Sequence, residues 1–101
     1  MEVSVAIADG QGAIRLHGRF DFNSHREFRD AVDKLLHDPG VTSVTVDLAK
    51  VDYLDSSALG MLLMLRDRCR SSGKTVSLSQ SQGAVKQVLD IANFSKLFTI
   101  V

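Results

Sequence analysis

The 101-residue sequence has one cysteine, Cys69, which excludes an internal disulfide and any cysteine-cluster metal site. It has no net charge, with 12 Lys and Arg against 12 Asp and Glu. A nucleic-acid binder needs a basic stripe to displace counterions, so no direct contact with nucleic acid is expected. No window approaches 18 uninterrupted apolar residues, so no membrane insertion is expected. The opening Met1-Glu2-Val3-Ser4-Val5 has neither a basic n-region nor a long apolar stretch. It reads as no signal peptide, and a cytoplasmic location is expected. Catalytic signatures are missing as well. His17, His25 and His37 lack HExxH spacing, Ser56 lacks the G-x-S-x-G elbow, and no glycine-rich phosphate loop follows a strand. The reading is a protein that is not an enzyme and needs no cofactor and no metal.

What the chain does have is a core. It is 45% hydrophobic, and at this length one compact domain over residues 1–101 is expected, burying roughly 60–70% of its unfolded surface. Val3, Val5 and Ile7 alternate with small or polar residues, as do Ile14, Leu16 and Gly18 beyond the turn Asp9-Gly10-Gln11-Gly12, which predicts a hairpin. Ser24 and Glu27 fit a capping box ahead of an apolar stripe at Phe28, Ala31, Val32, Leu35 and Leu36, and Asp38-Pro39-Gly40 ends that helix. Val41–Leu48 reads as a third strand and Ser56–Ser72 as a second helix closed by Gly73. Thr75–Ser79 is a fourth strand. Ser81 caps a third helix bearing Val85, Val88, Leu89 and Ala92, and Phe98–Val101 is a short last strand. The order ββαβαβαβ predicts an α/β fold with a mixed β-sheet, an early antiparallel hairpin plus parallel strands, packed against helices 24–37 and 56–72.

The most informative stretch is Val51-Asp52-Tyr53-Leu54-Asp55-Ser56-Ser57-Ala58-Leu59-Gly60-Met61, a loop that turns into the second helix. Asp55 or Ser56 falls at the N-cap, where both residue types are favoured. The motif has two readings: a structural cap, or a modification site. A phosphate on a serine there would meet free N–H groups and the positive dipole end, and would add about −1.5 to −2 charge against any partner. In the helix body Ala58, Leu62, Leu65 and Cys69 form a core stripe that Leu59 and Leu63 widen. Met61 and Met64 fall on another side, where they either pack beneath a neighbouring helix or sit exposed at a partner surface; exposure is expected. Gly60 costs ~1 kcal/mol relative to Ala in a helix and points to close approach by the chain's own backbone or by a partner. Arg66, Arg68, Arg70 and Lys74 complement the end of that helix or meet an acidic partner. Cys69 is expected in the core.

Asp55-Ser56-Ser57-Ala58-Leu59-Gly60 resembles the Asp-Ser-Ser/Thr-Gly-Leu-Gly signature of the STAS domain, the fold of bacterial anti-sigma factor antagonists. Gly18-Arg19-Phe20-Asp21 resembles the family's Gly-x-Leu-Asp, and Val44–Leu48 its third strand. Ala84–Ile91 with Leu97-Phe98 resembles its third helix and last strand. The likeness runs along essentially the whole chain. It implies a STAS-like domain whose phosphorylated serine is Ser56, with Ser57 as competitor, and whose acidic flanks are Asp21 and Asp55. The partner contact would add Ser57, Gly60, Met61 and Met64. The implied partners are an anti-sigma factor that is itself a serine protein kinase and a metal-dependent serine phosphatase. The alternative is a constitutive STAS subunit of a larger complex such as a lipid-transport ABC system. Two departures stand out: Ala58 replaces a common glycine, and the family's terminal helix is missing or very short after Val101.

Overall fold

Asp9 and Gly10 have positive φ, 52° and 79°, and turn strand β1 (Glu2–Ala8) back onto strand β2 (Gln11–Phe20) as an antiparallel hairpin. In the computed structural model, which describes residues 1–101, there follow α1 (His25–Leu36), β3 (Ser43–Leu54), α2 (Ser56–Ser71), β4 (Thr75–Ser79), α3 (Gly83–Ile91) and β5 (Thr99–Ile100). The sheet order is β1-β2-β3-β4-β5, and every pair after the hairpin is parallel. The expected mixed α/β architecture is the one observed.

Because β2, β3, β4 and β5 step across the sheet in one direction, right-handed crossovers place all three helices on one face. That face carries one contiguous apolar core: Ile14, Leu16 and Phe20 of β2, Val44, Val46 and Leu48 of β3, and the inner residues of each helix. Gly12 lies beneath Leu35, and a Cβ there would come within 2.7 Å of the Leu35 side chain. The helix packs closely because that strand position has no side chain. The other sheet face holds Ala6, Ala13, Thr45, Ser77 and Thr99 in one row, and Ser4, Arg15, Asp47 and Ser79 in the next. Cys69 is in the core as expected, and burial raises its thiol pKa.

Four local expectations are corrected. β3 does not stop at Leu48 but runs to Leu54. Two irregularities in its pairing with β2 each add a residue to β3, so its buried positions step by three, through Leu48, Val51 and Leu54. The capping box is Asp21 with Ser24, one turn earlier than Ser24 with Glu27. A 3₁₀ turn, Phe22–Ser24, precedes α1, and Ser24 makes no side-chain cap bond to α1 itself. α3 begins after Gln82, not Ser81. The strand Phe98–Val101 narrows to Thr99–Ile100.

Candidate functional site

Parallel pairing of β2 and β3 ends with Phe20 beside Leu54, and the Asp55 N–H donates to the Phe20 carbonyl at 3.3 Å. The next residues of the two chains, Asp21 and Asp55, are thereby set next to each other at the same end of the sheet. Both serve the backbone. The Asp21 carboxylate accepts from the Asn23 N–H at 3.0 Å, and the Ser24 hydroxyl accepts from the Asp21 N–H at 3.3 Å. That hydroxyl donates in turn to the Arg19 carbonyl at 3.2 Å, which satisfies the one buried polar side chain. The Asp55 carboxylate accepts from the Ala58 N–H at 2.9 Å and so caps α2.

This settles the two readings of the motif in one respect. Asp55 is the cap, so Ser56 and Ser57 are not needed for it. Both are exposed in the first turn of α2, at its positive dipole end, and neither side chain hydrogen-bonds within the protein. An arginine is nearby on the β2 side. The Arg19 Nε lies 3.7 Å from the Asp21 carboxylate and its guanidinium 4.1 Å from the Tyr53 ring centroid, so Asp21 is already part-neutralised.

Along α2 the exposed residues are Ser56, Ser57, Gly60, Asp67, Arg70 and Ser71, with Leu63 and Met64 partly exposed. An added Cβ at Gly60 would meet nothing within 4 Å, so its own fold does not require this glycine. Met61 is corrected. It is only 4% exposed and belongs to the core stripe Ala58, Met61, Leu62, Leu65 and Cys69. It sits seven residues, two turns, before Arg68, which pairs with Asp33 of α1 at 2.7 Å, so it faces α1 and not solvent. Leu63, expected to widen the core stripe, packs against the core and is partly exposed at its edge. Phe22 was missed altogether. It is 68% exposed on the 3₁₀ turn directly after Asp21.

The structure thus groups Asp21, Asp55, Ser56, Ser57 and Gly60 at one end, with Met64 on the helix flank and Met61 beneath. Neither serine lines a sizeable cavity; one cleft of about 450 Å³ lies on the open sheet face around Arg15, His17 and Asp47. No three His, Cys, Asp or Glu side chains converge as a metal-ligand set, and no helix is long and apolar enough to cross a membrane.

Residues 3–101 match a family model described as "Mlab, STAS domain". The chain belongs to the STAS family. A STAS-domain containing protein of Pseudomonas aeruginosa (strain UCBPP-PA14) is 46% identical over 94 residues, 92% of this chain and 91% of that one. A putative anti-sigma factor antagonist from Thermotoga maritima superposes with a TM-score of 0.87 at 21% identity, over 97% of this chain and 84% of that one. The Bacillus cell fate determinant SpoIIAA in its phosphorylated form superposes with a TM-score of 0.75 at 15% identity, over 99% and 91%. The STAS domain of a SulP transporter from Vibrio cholerae shares the fold too, with a TM-score of 0.73 at 18% identity over 94% and 75%. At these identities the structures share the fold of this STAS domain, which accommodates more than one kind of protein.

Proposed function

We propose that this STAS protein is a bacterial anti-sigma factor antagonist that works as a phosphorylation-controlled partner switch in the cytoplasm. Unphosphorylated, it binds an anti-sigma factor that is a serine protein kinase and so frees a sigma factor. Phosphorylation of Ser56 releases the complex, and a metal-dependent serine phosphatase restores it. The protein is the substrate and switch and carries out no catalysis. The observation that carries this reading is that Asp55 takes over capping and leaves Ser56 exposed with its hydroxyl unengaged. Phe22, Gly60, Leu63 and Met64 supply the neighbouring contact surface, and Asp21 and Asp55 its acidic flank. Phosphate added there meets the free N–H groups of α2 without refolding the domain, while its charge opposes an apposed apolar or acidic surface. Incubation with the cognate kinase is expected to label the wild type and Ser57→Ala but not Ser56→Ala. Undiminished labelling of Ser56→Ala would falsify the assignment.

The second reading is a constitutive interaction subunit of a larger complex, such as a lipid-transport ABC system. The fold shared with a transporter's STAS domain favours it. In that case the same α2 surface is a permanent interface and Ser56 stays unmodified. Purification from the native cell separates the two: phosphorylated Ser56 with a co-purifying kinase, or unmodified Ser56 with transporter subunits.

A further inference from the structure

The opposite end of α2 builds a second, different surface. A groove of about 470 Å³ lies between α2 and the 3₁₀ turn Phe94–Lys96, lined by Arg66, Arg70, Lys74 and Lys96 over a floor that includes Val76 and Phe98. No carboxylate lines it. Arg66 is fixed in place, its Nε donating to the Leu97 carbonyl at 2.8 Å, and is part-neutralised by Asp67 at 3.6 Å. The Lys74 ammonium donates to the carbonyls of Asp38 and Val41 in the connection between α1 and β3, which do not line the groove, so only its stem contributes there. Arg70 and Lys96 are exposed and form no ion pair.

Complementing a helix dipole accounts for Arg70 in the last turn of α2. It does not account for Lys96, which comes from another segment, or for the apolar floor and the exposed Leu97 at the rim. A free inorganic anion would use the cations and leave the floor bare. β4 also runs two residues, Thr75 and Val76, ahead of its first pair with β5, Ser77 with Thr99, which leaves a strand edge along the floor. We propose that this groove docks an extended acidic segment of a partner protein, with carboxylates on Arg70 and Lys96 and an apolar side chain against the floor. This proposal stands apart from the switch reading. Arg70 is 14 residues beyond Ser56 on α2, about 21 Å at 1.5 Å per residue, more than twice the screening length of about 8 Å at physiological salt. Both surfaces can be occupied at once, and charge at Ser56 leaves the groove unaffected.

The test is fluorescence anisotropy on the full chain with a short labelled peptide of alternating glutamate and leucine, and a glutamine-for-glutamate peptide as control. Saturable binding of the glutamate peptide is expected, with strong weakening toward 1 M salt, where screening shortens to about 3 Å. Arg70→Glu combined with Lys96→Glu is expected to weaken it on the order of tenfold, and Ser56→Asp to leave it unchanged. Arg66 is left intact because it holds the Leu97 carbonyl. If the reversed-charge protein does not fold by circular dichroism, Arg70→Gln with Lys96→Gln is read instead, with a smaller loss in the same direction. Equal binding of the glutamine peptide, or unchanged affinity in the charge variants, overturns the proposal. Displacement by inorganic phosphate at matched charge assigns the groove to a free anion instead. Self-association at peptide-binding concentrations, seen by sedimentation, assigns it to the acidic end of a second copy.

Discussion

The two ends of α2 differ in charge although the chain as a whole has none. At its start lie Asp21, Asp52 and Asp55; toward its end lie Arg66, Arg70, Lys74 and Lys96. Much of this separation follows from the topology. Parallel strands with right-handed crossovers send every helix N-terminus to one end of the sheet and every C-terminus to the other, so the helix dipoles align. Asp21 and Asp55 are caps, and Lys34, Arg68 and Arg70 fall in last turns. Charge alone therefore does not identify a site in this fold. The informative residues are those the fold does not use: Ser56, Gly60 and Phe22 at one end, Lys96 and the bare groove floor at the other.

Substitutions along α2 test that division between residues used by the fold and residues left over. Met61→Ala is expected to have the largest effect on the fold, a loss of about 2–5 kcal/mol by chemical denaturation, because it empties a core position. Met64→Ala should cost well under that. Equal losses would mean that the two methionines are not divided between core and surface. Ser56→Asp is expected to weaken partner binding about 100-fold, or about 2.8 kcal/mol, with the circular dichroism spectrum and melting temperature close to wild type. Broad NMR shift changes across α1 and α3 would replace this local mechanism with a conformational one. Gly60→Ala is expected to stabilise the fold by about 0.5–1 kcal/mol, since an added methyl group meets nothing, and to weaken partner binding. A lower melting temperature would contradict the open space around it.

The smallest expected effect lies in the last turn of α2, where it meets α1. The Arg68 hydrogen bond to Asp33 holds that carboxyl below its ordinary 3.8, helped by Arg29 and His37. A carboxylate with a depressed folded pKa contributes stability above its unfolded pKa of about 3.9 and loses it as pH falls through the folded value. An NMR titration of Asp33 should give a midpoint below 3.8, and Arg68→Ala should return it toward that value. An unshifted midpoint in the wild type would show that the pair does not hold in solution.

The alternating and helical periods made the element order and most of the core legible, because each buried face repeats every two or 3.6 residues. They failed where the period changed. The bulges of β3 turned an alternation into steps of three, so Val51–Leu54 looked like a loop. α2 is apolar on both faces, so its period could not tell Met61 from Leu63; only the placement of α1 decides that. The capping residues were recognisable as a group, yet Asp21 forms the capping box in place of Ser24, and of the two candidates at α2 it is Asp55 that caps, since spacing does not say which polar side chain reaches the free N–H first. The groove was invisible as a shape, because Lys96 joins the α2 arginines only through the chain's return to the sheet.

The length of β5 sets an order of opening. β3 has twelve residues, paired with β2 along most of its length and with β4 over Ser43–Asp47, whereas β5 has two at the sheet edge. In native-state hydrogen exchange the β3 amides should be lost only with global unfolding, and those of Thr99 and Ile100 by local fraying at a much lower free energy. That frayed edge adjoins the wall of the basic groove. A segment seated in the groove would register as slowed exchange at Leu97–Ile100 while β3 stays unchanged, a signature that separates docking there from a general rise in stability.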